Sequence, residues 1–569
     1  MTTAPEIEAM AFKYAVKNAA LHDGKADMGA VVGKLKALFP DLDIKELAGF
    51  AQNAVKKTNA LSLDQIKSEF AIFEKEGYEL KPHEKEAGLT KLDWAENGEP
   101  VVTRFAPNPS SVMHFGHLRA AILSAQYAKK YGGKFILRFE DTDPKTKQPL
   151  AGVEKQYDID LKWLGIPQDE IFYQSDRFEL YYDFVRKLLA MQKAYVCTCD
   201  NDAFKELKKQ KKPCPCRELE PKEQLNRFEK MLNHSYKEGQ AVLRVKTDLN
   251  HPDPSIRDWW AAKIVDKPVH PRKKNTWVWP AYNLACAIDD HLMGVTLILR
   301  GQEHSQNATK QKYLYDYFGW KYPHAIHFGR MQLKGFLLSK SKINELMKSG
   351  EITSWDDPRL ATVQAFRRRG FESAALTELM TEIGPKPQDV QVPLQKLEGW
   401  NRKIIDPIAQ RIVFLREPIE LEVKNAPSFT AKLNRHPEFS EKGFKEYSFK
   451  KGNHEFRIEK QQAEELKIGE SVQLKQAYLI KILEKTRGKI TAEFVGTEFR
   501  PKSVIVHWLV PNRTTKVEVT MSDAKQLTGM AEDEVLKYKA GSHLQFEKFG
   551  YVVVDQTGKK EVLVYFTQA

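Results

Sequence analysis

Two groups of side chains have types and spacings that chemistry could use. The stretch Arg104-Phe-Ala-Pro-Asn-Pro-Ser-Ser-Val-Met-His114-Phe115-Gly116-His117 ends in two histidines spaced by three, with a glycine between them. Such histidines can donate to a phosphate chain, and Gly116 has no side chain to keep a nucleotide away. Taken alone, the H-x-G-H string also suits a satisfied structural pair, so its context decides. The second group is Cys197-x-Cys199, fourteen residues, then Cys214-x-Cys216. It could close a tetrahedral thiolate site around zinc or stand as four reduced structural thiols, and its one-residue spacing is tighter than the usual knuckle. Between the pairs, Lys208-Lys-Gln-Lys-Lys212 reads as a solvated helix end or as a phosphate-contacting run. No nucleophilic Ser or Cys constellation is visible, so catalysis would rest on positioning and on neutralising phosphate charge.

The elements around these residues follow from periodicity. VVTRFA reads as a strand, HLRAAILSAQYAKKY as a helix and KFILRFE as a second strand, with Gly132-Gly133 stopping the helix. That order predicts a parallel sheet, and the strand-to-helix turn holding His114 is where such sheets bind ligands. Residues 1–95 show helical periodicity, as at Val31–Leu38 and Leu63–Phe73, and predict a helical appendage. The sheet is expected over 96–195, interrupted by a Cys- and Lys-rich insertion at 196–275. It resumes over 276–330, where WVWPAYNLACAIDD and VTLILRG read as apolar strands. A segment at 331–403 follows. Residues 404–569 carry runs such as KITAEFV, SVIVHWLV, KVEVT and YVVVD, the pattern of antiparallel barrels.

With 569 residues, 42% of them hydrophobic and 29% charged, the chain should fold into three to five units, and the composition excludes wholesale disorder. The formal charge of +13 favours a polyanionic partner, nucleic acid first. No apolar run is long enough to span a bilayer, and MTTAPEIEAM lacks the pattern of a secretory leader. Five cysteines, four of them crowded together, suit a reducing compartment, so cytoplasm is expected.

The His114–His117 stretch resembles the HIGH motif of class I aminoacyl-tRNA synthetases in the form used by the glutamyl and glutaminyl branch, with Phe115 for the usual Ile. Leu337-Leu338-Ser339-Lys340-Ser341 resembles the second signature, KMSKS, with its first Lys lost. The resemblance continues through LRFEDTDP (137–144), 163–184, 280–304 and 404–414, and covers roughly residues 98–569. It implies a multidomain α/β plus all-β chain of the archaeal glutamyl type. The parts would be a Rossmann-like catalytic domain, an acceptor-arm-binding insertion, a helical stem-contact region and two anticodon-binding β-barrels, with the helical appendage in front.

The same resemblance implies catalytic roles for His114, His117 and Lys340, and ATP binding by these with Gly116, Ser339 and Ser341. Glutamate would be held by Arg104, Glu140 (for the α-ammonium), Tyr282 and Arg300. Arg300, eighteen residues after Tyr282, decides the branch: glutamyl enzymes carry Arg there and glutaminyl enzymes an uncharged residue. A planar guanidinium suits a carboxylate and fits an amide poorly. Implied cofactors are ATP with Mg2+ and one structural zinc. Implied partners are L-glutamate and tRNA(Glu), with tRNA(Gln) left open, and another protein for the N-terminal helices. Trp508, Arg513 and Phe546 are candidates for anticodon stacking or for core. The rivals are a glutaminyl enzyme, a non-catalytic RNA-binding paralogue, and a HIGH-bearing small-molecule nucleotidyltransferase, which would not need the β tail.

Overall fold

The computed structural model describes residues 4–21, 24–39, 42–75, 88–336, 340–437, 439–500 and 503–569. The chain divides into two compact units, 1–87 and 88–569. In the first, helices α1 (Ala4–Leu21), α2 (Met28–Leu38), α3 (Ile44–Asn59) and α4 (Leu63–Lys75) bury Ala11, Ala15, Leu35, Leu47, Ala51 and Ile66 against one another. The carboxylates of Asp27 and Asp43 accept the N–H groups of Ala30 and Lys45, so α2 and α3 begin where orphan donors are capped.

The second unit opens with nine strands. These are β1 (Val102–Phe105), β2 (Lys134–Phe139), β3 (Glu170–Tyr173), β4 (Ala194–Cys197), β5 (Val242–Val245), β6 (Trp260–Ile264), β7 (Val278–Pro280), β8 (Leu297–Gly301) and β9 (His324–Phe328). One parallel sheet has the order β3-β2-β1-β8-β9, and β4 to β7 form a separate antiparallel sheet in chain order. Strand order reverses between β1 and β8, where Thr103 pairs with Leu297, so the crevice at this switch point lies beyond Phe105 and Gly301.

The helix Phe115–Lys130 packs Leu118, Ile122 and Leu123 into the core, each fully buried and worth roughly 1.5–3 kcal/mol. The glycine pair then turns the chain back into β2. Gly132 takes φ +62°, and a Cβ on Gly133 would stand 1.7 Å from the Val101 carbonyl oxygen.

One expected strand is a helix. Val278–Pro280 is extended and closes the antiparallel sheet, but Tyr282–Leu292 is helical. Leu284, Ala285, Ala287 and Ile288 are all buried, and a run that is apolar on every side shows neither period in the sequence.

The tail contains two seven-stranded sheets. One runs from Gln410–Ile412 at one edge to Phe414–Leu415 at the other, and the second from Ile505–Val506 to Trp508–Leu509. In each, the two edges are successive pieces of one kinked strand, separated by Val413 or His507. Each sheet therefore curls back on itself, which covers edges that would otherwise pair with other chains. Trp508 and Phe546 are 2% and 0% exposed, so these two are core and cannot stack on a base. Arg513 lies over the Tyr447 ring.

Asp160, on the helix Val153–Trp163, is fully buried. Its Oδ1 accepts from Gln156 Nε2 at 2.8 Å, while Oδ2 has no hydrogen-bond partner. Burial pushes its carboxyl up from 3.8 to about 6. The protonated form thus favours the fold: its contribution is complete below 3.8 and is lost as pH rises through about 6, with a ceiling of roughly 3 kcal/mol. Asp160→Asn should raise the thermal unfolding midpoint at pH 8, with the gap to wild type closing toward pH 5. An equal shift at both pH values would show that the carboxyl ionises without cost.

Candidate active site

Arg104, His114, Gly116, His117, Glu140, Tyr282 and Arg300 line one cavity of about 1200 Å³ at the switch point. Arg104 arrives at the end of β1, Glu140 just after β2 and Arg300 near the end of β8. Tyr282 opens the helix that follows β7.

His114 is the N-cap of its helix. Its Nδ1 accepts the Gly116 N–H at 3.1 Å, and His117 Nδ1 accepts the His114 N–H at 3.4 Å. The rings stack 3.9 Å apart. Committing Nδ1 of each ring to a backbone donor assigns the proton to Nε2, so both neutral rings are Nε2 donors at a positive helix terminus. Gly116 serves the ring as well as the ligand: a Cβ there would lie 3.0 Å from His114 Cε1. The loop is pinned from outside, since Phe115 N–H donates to Ala361 O and Val363 N–H to Met113 O.

Lys340 and Ser341 begin the helix Lys340–Lys348, where a loop was expected. Leu337–Ser339 lie outside the described residues, so the Ser339 assignment does too, and the side chains of Lys340 and Ser341 are likewise not described.

Behind the lining residues Arg104 and Glu140 lies a buried charge network. Asp290 Oδ1 pairs with Arg138 Nη1 at 2.6 Å and Arg104 Nε at 3.1 Å, and Glu140 Oε1 lies 3.4 Å from Arg138 Nη2. Asp289 takes Arg177 Nε at 2.7 Å and the Tyr181 hydroxyl at 2.7 Å. Burial pushes the Asp290 carboxyl up, but the Arg104 and Arg138 guanidinium groups outweigh it and hold Asp290 below the usual range. At Glu140 burial wins over Arg138 and the carboxyl is raised. The Cys286 thiol donates to Glu140 Oε1 at 2.8 Å.

Arg300 differs from the ion-paired Arg104, Arg138 and Arg177. It is 5% exposed, and its partners are His327 Nε2, Gln311 Oε1 and the Tyr322 hydroxyl, all neutral acceptors. Among the described residues no carboxylate pairs with it. A buried cation without a counter-ion costs several kcal/mol, which an anion entering the cavity would offset.

The four cysteines also come together, at the end of β4 and in the loop following the helix Asn201–Lys209. Cys197 and Cys214 Sγ are 3.9 Å apart, Cys199 and Cys216 Sγ 3.7 Å, and all four sulfurs lie within 4.8 Å of one another. A tetrahedron with ~2.3 Å metal–sulfur bonds has edges of ~3.8 Å, so the group could hold a metal ion. The Thr198 N–H and Arg227 Nη1 each donate to Cys216 Sγ at 3.4 Å, as a thiolate requires. The neighbouring thiols of Cys197 and Cys214, with the Thr198 amide, hold the Cys216 thiol well below its usual range.

Sequence reasoning missed Arg138, Asp289, Asp290 and Cys286. A signal was available for three of them: Arg138 interrupts the apolar strand FILRF and the two Asp residues end an apolar helix, and charges are not buried without partners. Gln311, Tyr322 and His327 gave none, because only the pairing of β8 with β9 and the packing of the helix Ser305–Phe318 bring them to Arg300.

Comparison with known proteins agrees with this geometry. The family described as tRNA synthetases class I (E and Q), catalytic domain, matches residues 100–407, and its anti-codon binding domain matches 409–498. A glutamate–tRNA ligase of Pyrococcus abyssi is 46% identical over 98% of this chain and 99% of its own length. One of Pyrococcus horikoshii is 44% identical with the same coverage, and one of Methanobrevibacter smithii 40% identical over 99% of each chain. With a switch-point cavity, histidines at a helix start and these matches over nearly its whole length, the chain belongs to the E and Q branch of the class I tRNA synthetases.

Proposed function

We propose that this protein is a glutamate–tRNA ligase, and that the buried Arg300 without a carboxylate partner selects the amino acid. Arg104 in this cavity is neutralised by Asp290, whereas the buried Arg300 keeps its charge and has neutral acceptors only, so the cavity favours a substrate whose side chain ends in a negative charge. Glutamine would leave that cation uncompensated, which disfavours a glutaminyl enzyme. Glu140, whose carboxyl is raised by burial, gains most from a cationic neighbour and suits the α-ammonium. Arg104, tied to Asp290, and Tyr282 complete the glutamate pocket.

The reaction runs in two steps. A glutamate carboxylate oxygen attacks the α-phosphorus of ATP, which enters with Mg2+, forming glutamyl-adenylate and releasing pyrophosphate. The terminal ribose hydroxyl of tRNA then attacks the activated carbonyl and AMP leaves. His114 and His117 donate to the phosphates through Nε2 as charge develops, and Lys340, with Ser339 and Ser341, is assigned to ATP binding on the motif alone, where the Lys340 cation would stabilise the charge on the β- and γ-phosphates. The test is charging of purified tRNA(Glu) and tRNA(Gln), each offered both amino acids. Glutamate attached to tRNA(Glu) supports the reading, glutamine attached to either would contradict it, and the tRNA(Gln) arm decides whether that RNA is a second acceptor. The N-terminal helices, with exposed Ile44, Leu63 and Ile72, are proposed to dock another protein, and the cytoplasm is the proposed compartment.

The metal assigned to Cys197, Cys199, Cys214 and Cys216 is zinc, which takes four thiolates tetrahedrally and would brace the insertion. Elemental analysis should give about one zinc per chain, lost in Cys216→Ala. Metal-free protein purified without chelator, with four titratable thiols in the cluster, would leave only a structural role for the sulfurs.

A further inference from the structure

The register of the parallel sheet sets Arg300 directly beside His327 on the edge strand β9. Arg300 Nε–H donates to His327 Nε2 at 3.2 Å, Nη1 to Gln311 Oε1 at 3.0 Å, and Nη2 to the Tyr322 hydroxyl at 3.0 Å. Gln311 is itself held, accepting the Tyr322 O–H at 3.3 Å and donating to Asn283 Oδ1 at 3.4 Å. Each guanidinium nitrogen is thus fixed once, from three separate parts of the chain. Of its five N–H groups, two remain for the cavity that Arg300 lines.

All three acceptors are uncharged. A carboxylate at any of these positions would hold the fork equally well but would neutralise it, and the attraction for an incoming anion would go. The arrangement keeps orientation and charge together, and it depends on the protonation state of one member. Gln311 and Tyr322 stay neutral at any ordinary pH. His327 accepts through Nε2 only with its proton on Nδ1, whereas an imidazolium has no acceptor and would set a second cation against Arg300.

We propose that His327 is a positioning residue for glutamate recognition: as a neutral Nε2 acceptor it fixes the plane of the Arg300 guanidinium, and its protonation releases that plane. The proposal rests on the reading of Arg300 given above. Burial and the Arg300 charge both hold the His327 imidazole below its ordinary range, which keeps the acceptor in place at neutral pH. Arg300 is the charged group that His327 feels. Arg300 in turn acts on Tyr282, His304 and Tyr322, and His304 also feels Glu303 and Arg104.

The experiment measures charging of tRNA(Glu) at saturating ATP and tRNA with glutamate varied, from pH 5.5 to 8, for wild type, His327→Gln, His327→Leu and Arg300→Cys. His327→Leu removes the acceptor and should raise the glutamate KM on the order of tenfold, the scale of one hydrogen bond to a charged group, with kcat and the ATP KM within about twofold of wild type. His327→Gln supplies an acceptor that does not titrate and should restore most of the glutamate KM. The sign of the pH effect follows from the lowered imidazole: wild type should lose glutamate affinity as pH falls through the His327 value, below 6.5. Titration of Glu140 adds an acid loss common to wild type and His327→Gln, so the expected signal is a smaller rise of KM at low pH in His327→Gln. A wild-type glutamate KM in His327→Leu overturns the proposal. So does a loss spread equally over kcat, ATP and glutamate with a lowered melting temperature, or an unchanged acid rise in His327→Gln. If Arg300→Cys keeps the glutamate KM, the Arg300 reading falls as well. If Arg300→Cys loses glutamate while His327→Leu does not, only the role of His327 falls.

Discussion

Replacing His114 or His117 by Ala should lower tRNA-dependent ATP–pyrophosphate exchange by two to three orders of magnitude while changing tRNA affinity little. Each ring presents an Nε2 donor whose orientation is fixed through Nδ1 by a backbone N–H, at 3.1 Å for His114 and 3.4 Å for His117. Donors held in place before the reaction are worth about 2.7–4 kcal/mol each in the transition state. The two losses should not add, because the rings stack and His117 also accepts from the backbone that carries His114. Replacement by Asn separates the roles. An Asn at His114 keeps a side-chain acceptor for the helix N-terminus and should fold normally, yet it lacks the reach of the ring and should remain deficient in exchange. Exchange at wild-type rates in both Ala variants would remove these histidines from the chemistry.

The parts of this molecule that the sequence made legible are those in which one local pattern answers one physical demand. Helix Phe115–Lys130 was readable because a strand, a proline-rich turn and a glycine pair bracket it, and Gly133 proves irreplaceable for a reason of contact with Val101. The tail was readable as β because its strands alternate, although barrel closure depends on single kinks at Val413 and His507 that no periodicity announces. The helix Tyr282–Leu292 was misread since a segment buried all round carries no period. Trp508 and Phe546 show the same limit from the other side, because an aromatic that fills a core and one that awaits a base look alike in a sequence.

In the site, Arg104, Glu140, Tyr282 and Arg300 were named from their motif positions and do line one cavity. Their states were not legible. Whether an arginine is neutralised depends on which carboxylates the fold brings to it, and Asp290, far along the chain, pairs with Arg104 and Arg138 but not with Arg300. The motif names Arg300; only the packing shows that, unlike Arg104 and Arg138, it has no carboxylate partner among the described residues.

The central claim is that this uncompensated cation chooses the amino acid, and Arg300→Cys tests it most directly. Breaking a buried charge pair costs about 2–5 kcal/mol, so glutamate recognition should fall by roughly 30- to several-thousand-fold. Glutamine loses nothing comparable, since its amide gains little from a guanidinium, although Arg104 and the surrounding groups still favour a carboxylate and need not admit it well. The measurement is the ratio of kcat/KM for glutamate over glutamine in wild type and in Arg300→Cys, at saturating ATP and tRNA. The account predicts a high ratio in wild type and a collapse of at least one order of magnitude in the variant, driven by glutamate, with the ATP KM little changed. An unchanged ratio would place Arg300 outside amino-acid selection and reopen the glutaminyl alternative.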